Sequence, residues 1–140
     1  MPSSLIWRAS GRKRERMLQF YDFEVFAYDW LVVVADPMNH HVEKIHNGKN
    51  ALENYFNSHS KDIWVGYNNV HYDQYILKAV LLDMNPKQVN DFIIQQHKDG
   101  WQYSTLFREI SMINFDVMLK YDGGLKSLGG MMGRNIKETS

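Results

Sequence analysis

Two carboxylates, Asp22 and Glu24, lie two residues apart inside an otherwise apolar run from Leu18 to Val25. If that run is a strand, its side chains alternate and the two acids share one face. Acids so placed repel each other and lose hydration. A divalent cation relieves both problems, and an all-oxygen donor set selects Mg²⁺ or Mn²⁺. The plainer alternative is a strand end open to water, with both groups hydrated. A second cluster runs Gly66-Tyr67-Asn68-Asn69-Val70-His71-Tyr72-Asp73. It follows a short apolar stretch and ends on a carboxylate where a helix opens. Asp73 there is either an N-cap for its own helix or a group facing the end of a neighbouring strand, where ligands collect in α/β folds. His40, His41 and His46 offer imidazole ligands, though a turn and a short strand account for them more simply. Cysteine is absent from the 140 residues, which excludes disulfides, thiolate metal sites and cysteine nucleophiles.

The elements that must position these residues follow from periodicity. Leu18–Val25 and Trp30–Ala35 read as strands, the second stopped by Asp36-Pro37. His41–Ile45 reads as a third. Short connections make the three an antiparallel meander. Gly48-Lys49-Asn50 opens a helix to about Ser58, with Leu52, Tyr55 and Phe56 as its apolar face. Ile63–Gly66 is a short buried strand. Asp73–Leu82 is a helix that buries Ile76, Leu77, Ala79 and Val80. Pro86 fits the first position of a helix reaching Gln96. Ile113–Val117 is another strand, and Leu125–Met132 a final helix. The fold class is α/β: a mixed sheet of three antiparallel strands, then alternating helices and strands.

Hydrophobic residues at 44%, charged residues at 23% and aromatics at 14% describe one ordinary globular domain, not a disordered chain. No apolar run nears the roughly 18 residues of a membrane span, and no secretory signal pattern opens the chain. A cytoplasmic setting, away from the membrane, is expected. The net charge of zero hides two unlike parts. Residues 1–16 carry five basic residues against Glu15, a net of +4. The other 11 basic and 15 acidic residues give −4. The basic leader is a solvated, disordered tail, a nucleic-acid-binding arm, or a purine-rich translated ribosome-binding tract ahead of a native start at Met17.

Taken together, the two acidic segments resemble the first two motifs of the DEDD (DnaQ-like) 3′–5′ exonucleases. The strand with D-x-E supplies Asp22 and Glu24. The N-x-x-x-Y-D segment supplies Asn68 through Asp73. The likeness is closer still to exonuclease-like proteins of phages and prophages. It is carried by Phe20-Tyr21-Asp22-Phe23-Glu24-Val25-Phe26, Trp64-Val65-Gly66-Tyr67-Asn68, Asp73-Gln74-Tyr75-Ile76-Leu77 and Leu125-Lys126-Ser127-Leu128. It extends over residues 17–140. The resemblance implies an RNase H-like fold and two Mg²⁺ or Mn²⁺ ions that hydrolyse a phosphodiester at the 3′ end of a single DNA strand. It implies that Asp22 bridges the ions, that Glu24 binds the nucleophile-side ion and that Asp73 serves the other. Asn68 is expected near the substrate. Tyr67, Tyr72 or Phe23 would stack on a base, although Phe23 alternates to the opposite face. Apart from the resemblance, His71 is a candidate for a phosphate contact or simply an exposed residue of a helix-preceding loop, and Lys126 is a candidate beside Gly123-Gly124 at a helix N-terminus, although the glycine pair lacks P-loop spacing. Asp116 is either an accessory acid at a strand end or an anchor for the loop that follows it.

One departure matters. The resemblance calls for a third motif, Y-x-x-x-D or H-x-x-x-D, carrying a fourth carboxylate and the general base. No such spacing follows Asp116: Tyr121 and Asp122 are adjacent, and only Glu138 lies beyond. The expectation is therefore a C-terminally incomplete exonuclease domain over residues 17–140, weakly active or inactive alone. A polymerase domain or replication protein in a bacterial host cell is the expected partner. The competing expectation is a non-catalytic module of the same fold that grips nucleic acid or a replication partner.

Overall fold

The computed structural model describes residues 16–120, and within them the chain forms one five-stranded mixed sheet with helices. Strand β1 is Leu18–Val25. Its alternation is strict: Gln19, Tyr21 and Phe23 are buried, while Phe20, Asp22 and Glu24 are exposed. A tight hairpin, closed by the Phe26 N–H donating to the Asp29 carbonyl at 2.8 Å, returns the chain as β2, Trp30–Asp36. There Trp30, Val32 and Val34 face the core.

Asp36 then accepts the Asn39 N–H and starts a 3-10 turn, Pro37–Asn39, whose proline fixes the backbone. His40 leaves this turn with a left-handed backbone, φ 54°. Strand β3, His41–His46, forms one edge. Helix α1, Lys49–Ser58, crosses to β4, Ile63–Gly66. The α1 residues that become buried are Leu52, Tyr55 and Phe56, as periodicity predicts. Helix α2, Asp73–Leu81, and helix α3, Pro86–Ile94, lead through two 3-10 turns to β5, Ile113–Asp116, and to a last turn α4, Val117–Lys120.

The strand order is β3-β2-β1-β4-β5. The pairs β3–β2 and β2–β1 are antiparallel; β1–β4 and β4–β5 are parallel. β1 is thus the strand at which the direction rule changes, and two facts make its far end distinctive. The pairing with β4 stops at Phe20 opposite Val65, so residues 21–25 continue past the end of β4. The helical layer covers the Tyr21/Phe23 face, where Trp64 stacks edge-on against Tyr21 at 5.3 Å amid Val32, Leu52, Phe56, Ile76 and Leu77. On the other face, register aligns Val42, Ala35, Phe20, Val65 and Phe115, one from each strand, into an apolar row. Asp22 and Val33 lie in the next row with Lys44.

The sequence reading differs mainly at element ends. α3 stops at Ile94 rather than Gln96, and β5 stops at Asp116 because Asp116 caps the turn that follows. The stretch 100–109, which carries no periodic signal, holds two 3-10 turns. Their three-residue period presents no amphipathic stripe; Phe107 nonetheless packs into the core. Among the described residues no helix is long and apolar enough to cross a membrane. The proposed leader before Arg16, the helix Leu125–Met132, and Tyr121, Asp122, Lys126 and Glu138 lie outside the described residues.

Candidate functional site

The overhang of β1 beyond β4 carries the first two acids. Asp22 and Glu24 both point to the face opposite the helices. Partial burial, and then the Glu24 carboxylate beside it, hold the Asp22 carboxyl above the usual aspartate range. Phe23 points the other way, into the core, as alternation requires. It is therefore removed as a base-stacking candidate.

Asp73 reaches the same place from α2. It is not the cap of its helix. Tyr72 occupies the cap position, no side chain accepts there, and Asp73 is the first helical residue. The residue is buried, 4% exposed, where α2 packs against β1. Burial is the largest influence on it, followed by the charges of Asp22 and Asp116, and together they push its pKa up to about 8. The nearby Phe23 backbone N–H works in the opposite direction. Asp22 is thus the shared member of two repelling pairs, one with Glu24 and one with Asp73.

Asp116 also arrives here, at the end of β5, and is buried. Its lone pairs are already engaged. Oδ1 accepts the N–H of Asn68 at 2.8 Å and of Met118 at 3.0 Å, and Oδ2 accepts that of Val70 at 3.0 Å. The anchoring role, not the accessory-acid role, matches this geometry. The loop it holds is mainly the one leading from β4 to Asp73, not the one that follows it, where it takes only the Met118 N–H. Asn68 sits in it with φ 63°, a left-handed conformation that asparagine tolerates better than most residues.

The remaining candidates separate. Tyr67 is 54% exposed and borders a groove of about 520 Å³ with Phe20, Asp22, Val33, Ala35 and Val65. It remains available for stacking. The Tyr72 hydroxyl donates to Asn90 Oδ1 on α3, and burial pushes its pKa up. That phenol braces two helices, so its ring is less free. His71 is exposed. His41 pairs with Glu43 at 3.1 Å and His46 with Asp29 at 2.9 Å, each with its own carboxylate. The histidines do not assemble into one site.

The donor chemistry fits a hard divalent cation: oxygen ligands only, two repelling pairs, and Asp22 common to both. Geometry supplies less. Among the described residues no three His, Asp or Glu side chains stand close enough together to hold an ion. Sequence reasoning missed the polar residues under this site: Asn69 and Gln74, which are buried, and half-buried Asn114. The one available signal was a lone asparagine in the strand Ile113-Asn114-Phe115. Comparison with protein-family models, curated proteins and solved structures gives no match.

Proposed function

We propose that this chain carries the metal-binding part of an RNase H-like, DEDD-type 3′–5′ exonuclease acting on single-stranded DNA ends in phage or prophage replication. The observation that carries this reading is the meeting of Asp22 and Asp73. One comes from the overhang of β1 and the other, buried, from the first residue of α2; burial first, and then the charges of Asp22 and Asp116, push the Asp73 carboxyl up to about 8. Such a site is poised to take a cation, since acids pushed out of their ordinary range by burial and like charge mark functional clusters.

Asp22, Glu24 and Asp73 would hold Mg²⁺ or Mn²⁺, which when bound supplies activation of water and charge stabilisation at a phosphodiester. The chain's own residues do the rest. Asp22 sits between the other two acids. The Asp116-anchored loop fixes the approach of Asp73. Tyr67, exposed beside Asp22, offers a ring on which a terminal base can stack. Asn68 and exposed His71 border the same loop, within reach of a backbone phosphate. The sequence holds no Y-x-x-x-D or H-x-x-x-D after Asp116, so slow turnover by this chain alone is part of the proposal.

The second reading is a non-catalytic module of the same fold that binds nucleic acid or a replication partner, such as a polymerase. The commitment of Asp116 to three backbone N–H groups favours it, because that removes one carboxylate from ligand duty.

A 5′-labelled single strand incubated with the protein and Mn²⁺ decides between them. Slow stepwise shortening from the 3′ end, lost in Asp22→Ala and Asp73→Ala, supports the exonuclease. Retention of the strand uncut, with binding unaffected by Asp22→Ala, supports the binding module and overturns the exonuclease.

A further inference from the structure

A buried polar frame lies beneath the acids, and each of its main nodes adjoins an acid or the loop in the sequence. The Tyr21 hydroxyl donates to Asn114 Oδ1 at 2.8 Å. Asn69 Nδ2 donates to the same oxygen at 3.0 Å and lies 3.4 Å from the Tyr21 hydroxyl. Asn114 Nδ2 donates to Gln74 Oε1 at 3.3 Å. Gln74 Nε2 returns to the Val70 carbonyl at 2.7 Å, and the Lys78 ammonium donates to Gln74 Oε1 at 3.0 Å. Tyr21 precedes Asp22, Gln74 follows Asp73, Asn114 stands two residues before Asp116, and Asn69 lies within the anchored loop.

We infer that Asn114 is the positioning residue of the acidic site: from β5 it ties β1, the loop and α2 into one geometry and so sets the distance between Asp22 and Asp73. The physical argument is one of satisfaction. Asn69, Gln74 and Tyr21 are buried, and Asn69 Oδ1 has no partner among the described residues, so the Asn69 amide depends on the bonds its Nδ2 makes, the shortest of them to Asn114; losing that bond in low dielectric is costly. Asn114 alone offers both an acceptor to the β1 and loop side and a donor to the α2 side. No apolar residue can replace both functions. Packing supplies a second constraint. A Cβ at Gly66 would lie 2.8 Å from Asn69 Cβ, so β4 must end in glycine for Asn69 to sit beneath it.

This inference rests on the proposed cation site, and the test separates the two. Mn²⁺ affinity is measured by calorimetry for the wild type, Asn114→Leu, the milder Tyr21→Phe, and Leu52→Ala as a core-destabilised control away from the frame. Amide exchange at Asn68 and Val70 is followed in the same four proteins. The expected result is a loss of Mn²⁺ affinity of about tenfold in Asn114→Leu and a smaller loss in Tyr21→Phe, as for residues that orient metal ligands. The folded Leu52→Ala protein keeps wild-type affinity. Frame variants that lose no more affinity than Leu52→Ala overturn the inference. If the wild type takes up no Mn²⁺, the proposed function fails, and the frame is judged on amide exchange alone. Faster exchange at Asn68 and Val70 in Tyr21→Phe than in Leu52→Ala then supports it, and equal exchange overturns it. Should Asn114→Leu not fold, Tyr21→Phe carries both readouts.

Discussion

Asp116 Oδ1 accepts the N–H of Asn68 at 2.8 Å, at the point where the loop after β4 turns left-handed. A carboxylate is suited to this because it accepts from several donors at once. The bonds it makes to Asn68, Val70 and Met118 are charge-assisted. Asp116→Ala leaves those N–H groups without their partner, and the expected loss is about 3 kcal/mol in urea unfolding. Asp116→Asn keeps one acceptor oxygen and removes a charge near Asp73, so its loss should be smaller, about 1 kcal/mol. Equal stability of Asp116→Ala and the wild type would refute the anchoring role.

The raised carboxyl of Asp73 fixes a pH dependence for the metal-free protein. Its folded pKa, about 8, lies above its ordinary value of 3.8. Between these limits the folded state holds a proton that the unfolded state has released. Stability therefore falls as pH rises from about 4 to about 8, with a limiting slope of about 1.4 kcal/mol per pH unit for one proton. Above that window the slope from this group vanishes. Asp73→Asn should flatten the profile and be the more stable protein at pH 8. Chemical unfolding between pH 5 and 9 in EDTA checks both.

A cation should reverse that loss. At pH 8, Mn²⁺ at one hundred times its Kd stabilises the folded state by about 2.7 kcal/mol, roughly a 10 °C rise in Tm for a domain of this size. Asp22→Ala should abolish the rise, because Asp22 is common to both repelling pairs. In EDTA the same variant should melt no lower than the wild type, since it relieves repulsion. A Mn²⁺ shift that survives Asp22→Ala would place the ion elsewhere.

Gly66→Ala tests how tightly the end of β4 is packed. The added methyl would lie 2.8 Å from Asn69 Cβ and 3.0 Å from Asn69 Cγ. Asn69 is fully buried and hydrogen-bonded, so it cannot swing away without loss. Overpacking of this kind costs about 1–3 kcal/mol. Thermal melting of Gly66→Ala should show that drop, while Gly48→Ala, whose nearest contact is 3.3 Å to an Ile45 methyl, should show less.

Local periodicity carried most of this fold. β1 and β4 have the bounds that alternation and the apolar run imply, and the buried faces of α1 and α2 are those read from spacing. The charge of Asp22 acts on Asp73, although 51 positions separate them in the numbering. The misreadings have local causes too. Asp73 looked like an N-cap because carboxylates at helix starts commonly are. Only tertiary packing, which buries Asp73 where α2 meets β1, tells the two roles apart. The polar frame was illegible because nothing in a lone asparagine tells whether its partners lie across a sheet. The two 3-10 turns failed for want of a period.

The apolar row Val42–Ala35–Phe20–Val65–Phe115 runs directly beside Asp22 and, one row further, Glu24. Phe20 and Phe115 in that row are 41% and 39% exposed. A band of this kind would be adhesive were it not bordered by charge, since charges flanking an exposed apolar stretch interrupt association through it. The acids beside it therefore also serve colloidal solubility. Neutralising both of them would cost the protein dispersal in concentrated solution as well as its affinity for a cation.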